Sequence, residues 1–285
     1  MVLLSMIEML REAQKGRYAI GYFESWNLES TRAVVKAAEE ERAPVIIGFN
    51  GGFLSARRRE LESYAIMGRM MAEKAAIPVA LLLNEAADFQ QCVQGIKWGF
   101  SSLMFDGSFL PLDENIKLSK KIVEVSHSVG VSVEGQMDEL PHAKGGVFNG
   151  SLKDFLTDPE KAAYFVRETG IDALSISVGN IHVLYKEKTR IDFSLLERTR
   201  ELIDIPLVIH GATGISDDDI RRMIKLGVCK INIGTELRLR FIDGMKKAIE
   251  KKHVIDPEEI LDLAEQEMKD LIKNKMRIYG CAGRA

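Results

Sequence analysis

A (β/α)8 barrel is the fold class that this 285-residue sequence predicts, and three observations lead to it. Short apolar runs recur eight times, each followed by a stretch whose apolar residues have helical spacing. No linker-like segment separates them, so residues 1–285 read as one domain. Nearly every apolar run stops on a polar or ionisable residue, as strands do when their carboxyl ends share one working face. A doubly wound open sheet is the runner-up; it would need eight parallel strands, and no dinucleotide fingerprint follows the first.

The elements follow in order. A short N-terminal helix over residues 1–16 precedes the first strand, 18–23, which ends at Glu24. A helix at 28–42 leads to the second strand, 44–49, which ends at Asn50 and a Gly-Gly turn. The helix at 61–76 precedes strand three, 78–83, ending in Asn84 and Glu85. After a helix at 89–97, strand four (102–105) stops at Asp106; after a helix at 116–129, strand five (131–133) stops at Glu134. Residues 137–157 carry Pro141, His142 and several glycines and read as a long loop. Asp158 and Pro159 start a helix, and strand six (173–178) leads into Asn180 and His182. A helix at 193–202 precedes strand seven, 207–209, an apolar run of the kind buried on both faces. It stops at His210 before Gly211, Ala212, Thr213 and Gly214; Ser216 then reads as an N-cap, with Asp217 to Asp219 at the positive end of the next helix. Strand eight (230–235) carries Asn232, Gly234 and Thr235; its helix (236–250) and a C-terminal helical extension (257–278) complete the chain.

Composition limits the partners. A hydrophobic fraction of 46% and a charged fraction of 28% suit a protein with a sizeable core. A net charge of −3 gives no global electrostatic reason to bind nucleic acid or an anionic membrane. Cys92, Cys229 and Cys281 lie in no metal-ligand spacing and read as reduced thiols of a cytoplasmic protein. The N-terminal helix carries Glu8, Arg11, Glu12 and Lys15, unlike a signal peptide, and no run reaches membrane-spanning length.

In a (β/α)8 barrel, Glu24, Asn50, Asn84, Glu85, Asp106, Glu134, His182, His210 and Asn232 converge on one mouth. Two imidazoles with carboxylates suit a zinc-like divalent ion. Gly211, Thr213, Asn232, Gly234 and Thr235 follow strands seven and eight, where barrels often hold phosphate, and Lys186 can add positive charge. A metal beside a phosphate site points to polarising the carbonyl of a phosphorylated sugar and stabilising an enediolate. His127 and His253 lie on or after helices and read as surface residues.

Through Val131-Ser-Val-Glu134, Leu207-Val-Ile-His-Gly-Ala-Thr-Gly214 and Lys230-Ile-Asn-Ile-Gly-Thr-Glu-Leu237, the chain resembles the class II, metal-dependent ketose-bisphosphate aldolases of the fructose- and tagatose-bisphosphate kind. The resemblance runs essentially end to end. It implies a TIM-barrel zinc enzyme with one or two divalent cations, joining or cleaving a carbon–carbon bond beside dihydroxyacetone phosphate. A small-molecule sugar phosphate is then the partner, and a homodimer or homotetramer the assembly. By the same resemblance His182 and His210 match zinc ligands, and Asp106 and Glu134 match carboxylates that hold a second cation or support the first. Gly211, Ala212, Thr213, and Asn232 to Thr235 match the segments that bind dihydroxyacetone phosphate; Arg277 matches an arginine on the far phosphate.

The departures cluster at the mouth. Where the family reads Leu-Asp-His-Gly, this chain reads Leu83-Asn84-Glu85-Ala86, so an amide replaces the catalytic aspartate and a carboxylate replaces the third histidine ligand. Glu85 as a ligand adds negative charge and weakens the ion as a Lewis acid. Glu24 stands for a family asparagine, and Val183 for a glycine. Glu24 and Glu85, at neighbouring strand ends, are expected to share a site in which one pKa rises. A divergent aldolase is the leading reading, with Glu85, His182 and His210 on zinc and Glu24 or Glu134 moving protons. A metal-dependent isomerase or epimerase comes second, and a non-catalytic sugar-phosphate-binding paralogue third.

Overall fold

The computed structural model describes residues 3–184, 186–250 and 256–285. In its first half, α1 (Met6–Gly16) leads to β1 (Ile20–Glu24), α2 (Leu28–Glu41), β2 (Val45–Asn50), α3 (Gly51–Ala56), α4 (Leu61–Lys74), β3 (Val79–Ala86), α5 (Phe89–Trp98) and β4 (Ser102–Asp106). The second half continues through α6 (Leu112–His127), β5 (Ser132–Gln136), α7 (Pro159–Thr169), β6 (Ala173–Ser175), α8 (Phe193–Leu202), β7 (Leu207–Ile209), α9 (Asp217–Lys225) and β8 (Val228–Ile233). Helices α10 (Thr235–Glu250) and α11 (Pro257–Tyr279) end the chain.

All eight strands are parallel and close into a barrel in chain order, with β1 against β8 through Ile20↔Lys230 and Tyr22↔Asn232. This is a (β/α)8, or TIM, barrel. The strands read as near-continuous apolar runs because both faces are covered, the outer by helices and the inner by the barrel filling. The helix starts are capped by the residue types that the sequence offers. Asn27, Asp88, Asp158, Asp192 and Ser216 each accept a hydrogen bond from a first-turn amide. No helix among the described residues is long and apolar enough to cross a membrane.

Several elements differ from the sequence reading: β3 and β5 run on to Ala86 and Gln136, and β8 ends at Ile233, which leaves Thr235 to α10. The Gly-Gly turn after Asn50 is the start of α3, because the Asn50 side chain caps it by accepting from the Phe53 amide at 2.9 Å. Helix α6 begins four residues early, at Leu112, with Asp113 and Glu114 in its first turn. Strand β6 ends at Ser175 because the Val178 N–H donates to the Asn180 side chain, 2.8 Å, and curls the chain inward.

Gly48 sets how closely β2 and β3 approach. A Cβ built there would lie 2.0 Å from the carbonyl oxygen of Leu82, a strand backbone atom that cannot swing aside. Gly48→Ala is therefore expected to lower the unfolding free energy by about 1–3 kcal/mol or more in urea titrations. An unchanged midpoint would contradict this account of strand spacing.

Candidate active site

The mouth of the barrel is organised by an irregularity in β3. Between β3 and β4 the register shifts from Leu83↔Leu103 to Ala86↔Phe105, so β3 spends one residue more than its neighbour. Glu85 sits in this bulge at φ 50°, in the left-handed region. Such a backbone costs a non-glycine residue about 1–3 kcal/mol. Here Glu85 lines the mouth cavity. Asn50 donates to its Oε2 at 2.5 Å, and Asn84 to its Oε1 at 3.0 Å.

His210, at the end of β7, meets two carboxylates. Its Nε2 lies 2.8 Å from Oε1 of Glu134, and its Nδ1 lies 3.8 Å from Oε1 of Glu85. Glu134 is fully buried, and its second oxygen accepts from the equally buried Lys230 ammonium at 2.7 Å. Burial works against the Glu134 charge, but Lys230 and His210 outweigh it and hold the carboxyl below its ordinary range. Burial lowers the His210 imidazole, but its contacts with Glu134 and Glu85 outweigh this and raise it above its ordinary value. The ionised Glu134 holds a proton on Nε2, and Nδ1 is the nitrogen turned toward Glu85, as in histidines whose far nitrogen is held while the near one meets a metal.

His182 completes the cluster. It follows β6 and is tied to the long loop, since its N–H donates to the Pro141 carbonyl at 2.9 Å and its carbonyl accepts from Ala143 at 2.8 Å. The His142 ring stacks on it at 5.9 Å, which settles the place of this loop histidine without adding it to the cluster. Ligand atoms of Glu85, His182 and His210 all lie within 4.8 Å of one another. Burial brings His182 down to about 4, so its imidazole is neutral at pH 7. Burial alone would raise Glu85, but the nearby His210, the adjoining His182 and the Asn50 amide bring it to about 2. A neutral imidazole, a carboxylate and an imidazole whose far nitrogen is held by Glu134 are a donor set that fits a divalent ion of the zinc type.

The other residues singled out in the sequence divide into those in the cavity and those elsewhere. Asn50, Asn84, Asp106, Ala212, Thr213, Asn232, Gly234 and Thr235 line it with the cluster. Gly211 has φ 62°, and a Cβ there would meet the Ile181 carbonyl oxygen at 2.7 Å, so glycine is required for this turn to approach the His182 segment. Asn232 places its side-chain amide 2.9 Å from His210 Nε2, and its Oδ1 is buried without a partner. Asp106 lies outside the cluster, because its Oδ1 accepts from Ser108 and from the Gln136 amide at 3.3 Å. Glu134 cannot touch a ligand: it does not line the cavity, and its oxygens are used by His210 and Lys230. Lys186 lines a separate hollow beside Gly214 to Ser216. Arg277 is paired with Glu41, 2.6 Å away, where α2 hands over to the start of β2; this is the opposite end of the barrel. Val183, where a glycine was expected, takes φ 58° despite its branched side chain. His127 pairs with Asp172 away from the mouth, and His253 lies outside the described residues.

Glu24 and Glu85 are not neighbours in the sheet. They stand on β1 and β3, with Asn50 of β2 between them. Glu24 instead pairs with Arg238 of α10. Burial pushes the Glu24 carboxyl up, Arg238 opposes this, Glu85 adds to it, and the result is about 7. Four residues escaped the sequence reading: Lys230, Arg238, Gln136 and Tyr22, whose buried hydroxyl has no partner. Lys230 and Gln136 carried a faint signal, each being a polar side chain within or ending a strand.

The family described as fructose-bisphosphate aldolase class-II matches residues 4–284. A fructose-bisphosphate aldolase of Geobacillus stearothermophilus is 36% identical over 299 residues, which cover 100% of this chain and 99% of that protein. Among solved structures, the YdjI aldolase of Escherichia coli K12 has a TM-score of 0.86 at 31% identity, with 100% of both chains covered. A fructose-bisphosphate aldolase of Campylobacter jejuni shares the fold alone, with a TM-score of 0.79 at 22% identity over 99% of this chain and 97% of its own.

The raised Glu24 carboxyl links stability to pH. A carboxyl near 7 in the folded state favours folding while it is protonated, and that advantage is lost as pH rises from about 4.5 through 7. Unfolding free energies measured with chelator present should therefore fall between pH 5 and pH 8 by about 2–3 kcal/mol more in the native protein than in Glu24→Gln. Equal slopes would contradict the assignment.

Proposed function

Because the chain belongs to the class II fructose-bisphosphate aldolase family, we propose that it is a metal-dependent aldolase. It would reversibly cleave a ketose (bis)phosphate to dihydroxyacetone phosphate and an aldehyde. One observation carries this reading: Glu85, His182 and His210 form a divalent-ion donor set on the same cavity as the turns after β7 and β8. Zinc suits the set, with two imidazoles, one carboxylate and room for substrate oxygen. When bound, the ion supplies Lewis-acid polarisation of the ketose carbonyl.

The chain's own groups supply the rest. The backbone around Gly211 to Thr213 and Gly234 to Thr235 receives the phosphate, helped by the N-terminus of α10, which begins at Thr235. Lys230 and Glu134 hold His210 from beneath. Glu24, titrating near neutrality at the cavity wall, takes the place of the missing aspartate as the proton carrier. In cleavage it accepts the C4 hydroxyl proton while the C3–C4 bonding electrons move to the donor half and the aldehyde leaves. In synthesis it returns that proton to the new alkoxide. Glu139, on the long loop and lining the cavity, is positioned to exchange the proton at C3 of the donor. Asn84 cannot carry protons; it orients Glu85 and accepts from the Asn232 amide at 3.4 Å. That amide favours one alternative, an isomerase or epimerase that makes the same enediolate without breaking a carbon–carbon bond.

The direct test is dihydroxyacetone phosphate in deuterated water with zinc-supplemented protein, followed by NMR. Loss of the C3 proton signal is expected, abolished by chelator and restored by zinc. Full zinc occupancy without exchange would sink the aldolase reading. Glu134→Gln should weaken zinc binding by about 10–100-fold, because the carboxylate that holds His210 Nε2 is lost.

A further inference from the structure

Side chains of β1 alternate across the barrel wall. Phe23 points outward, where its ring stacks on Tyr279 of α11 at 6.3 Å, so Tyr22 and Glu24 point inward. Tyr22 stands in register with Asn232 of β8 and lines the mouth cavity. Its ring packs against Lys230, whose ammonium is 5.2 Å from the ring centre. The ring is thereby fixed, and the hydroxyl is its only polar group. That hydroxyl is buried and has no hydrogen-bond partner among the described residues. Atoms of Ser126, Asp138, Ser177 and Asn232 share this condition. Of these four residues only Asn232 also lines the mouth, and its amide is already engaged with His210 at 2.9 Å and Asn84 at 3.4 Å. Among the described residues, Tyr22 therefore carries the one buried polar group of the mouth that is wholly unused. A buried hydroxyl without a partner costs stability, and native proteins keep few of them. One that borders a cavity is available to whatever enters it.

We propose that Tyr22 is a catalytic residue whose hydroxyl donates a hydrogen bond to the C2 oxygen of dihydroxyacetone phosphate as that oxygen becomes an enediolate oxyanion. The inference rests on the aldolase reading above. When C3 gives its proton to Glu139, the electrons of that C–H bond form the C2–C3 double bond, and the carbonyl pair moves onto the C2 oxygen. A fixed donor at that oxygen contributes most as the charge develops. Burial pushes the Tyr22 phenol well above its ordinary value, and Glu24 and Glu85 add to this, so it stays neutral and keeps its hydrogen. Tyr22 thus supplies a hydrogen bond, while Glu24, the next inward residue of β1, carries the proton. The need for such a donor arises at Glu85. A carboxylate in the donor set offsets part of an ion's charge, which leaves more of the oxyanion to be balanced by the chain. The Lys230 ammonium, set against the ring, polarises the phenol toward donation.

Tyr22→Phe keeps the ring against Lys230 and removes only the oxygen. With zinc-saturated protein in deuterated water, the maximal rate of exchange at C3 of dihydroxyacetone phosphate should fall about 100-fold, the effect of removing one oxyanion donor. KM should change by less than about 3-fold, since the contact strengthens only as charge develops. Phosphoglycolohydroxamate, a planar mimic of the enediolate, should lose affinity by a similar factor in calorimetry. Zinc affinity should hold, and the urea midpoint should stay equal or rise, because an unpartnered hydroxyl has been removed. Unchanged exchange, or a loss confined to KM, overturns the assignment. So does a lowered urea midpoint with exchange intact, which marks a hydroxyl bonded to a fixed water. A parallel fall in zinc affinity overturns it too, by marking a residue that only positions the donor set. Each of these outcomes leaves the aldolase reading standing. Absence of exchange in the native protein removes that reading and the role of Tyr22 with it.

Discussion

The buried contact between Lys230 and Glu134 is the constraint on which the site depends. Two full charges inside a barrel are unfavourable unless each satisfies the other, and removing one partner of such a pair typically costs about 3–5 kcal/mol. The pair is anchored on β8 and β5, nearly opposite one another in the closed sheet, so only correct closure brings them together. Once made, it leaves Glu134 one oxygen, and that oxygen anchors Nε2 of His210. Folding and the chemistry of the mouth thus meet in a single electrostatic contact.

Above that contact the structure accepts strain. Glu85 and Val183 both occupy the left-handed region, which side chains other than glycine rarely adopt, and both lie within or next to the Glu85–His182–His210 cluster. The bulge that twists Glu85 inward gives it two hydrogen-bonding neighbours, Asn50 and Asn84, with His210 3.8 Å away, and its carboxyl is held at about 2. A carboxylate kept ionised and aimed by strained backbone is one that the surrounding fold over-determines.

Much of this was legible in the chain. The recurrence of apolar run and helical stretch gives the barrel, and the residue closing each run marks its working end. Asn50, Glu85, His182 and His210 were visible because a polar residue after a buried strand has few places to go. What was hidden depends on register and on side chains reaching across the barrel. Glu134 looked like a ligand until its partner, 96 residues away, was seen to occupy it. Glu24 and Glu85 seemed adjacent because strand ends read as a list carry no angles. Arg238 sits inside an amphipathic helix, where periodicity assigns it to a face but not to the carboxylate it meets. Asn50 read as the end of a strand and is also the cap of the next helix.

The bridge between His182 and the long loop has a mechanical consequence. Pro141 and Ala143 grip the backbone on both sides of His182, so the histidine and the loop are one body. Anything that steadies His182 steadies the loop carrying Glu139 by the same free energy, and anything that pulls the loop open slackens the histidine. Cluster and loop are thereby geared together, like a latch whose tongue is cut from the door it secures.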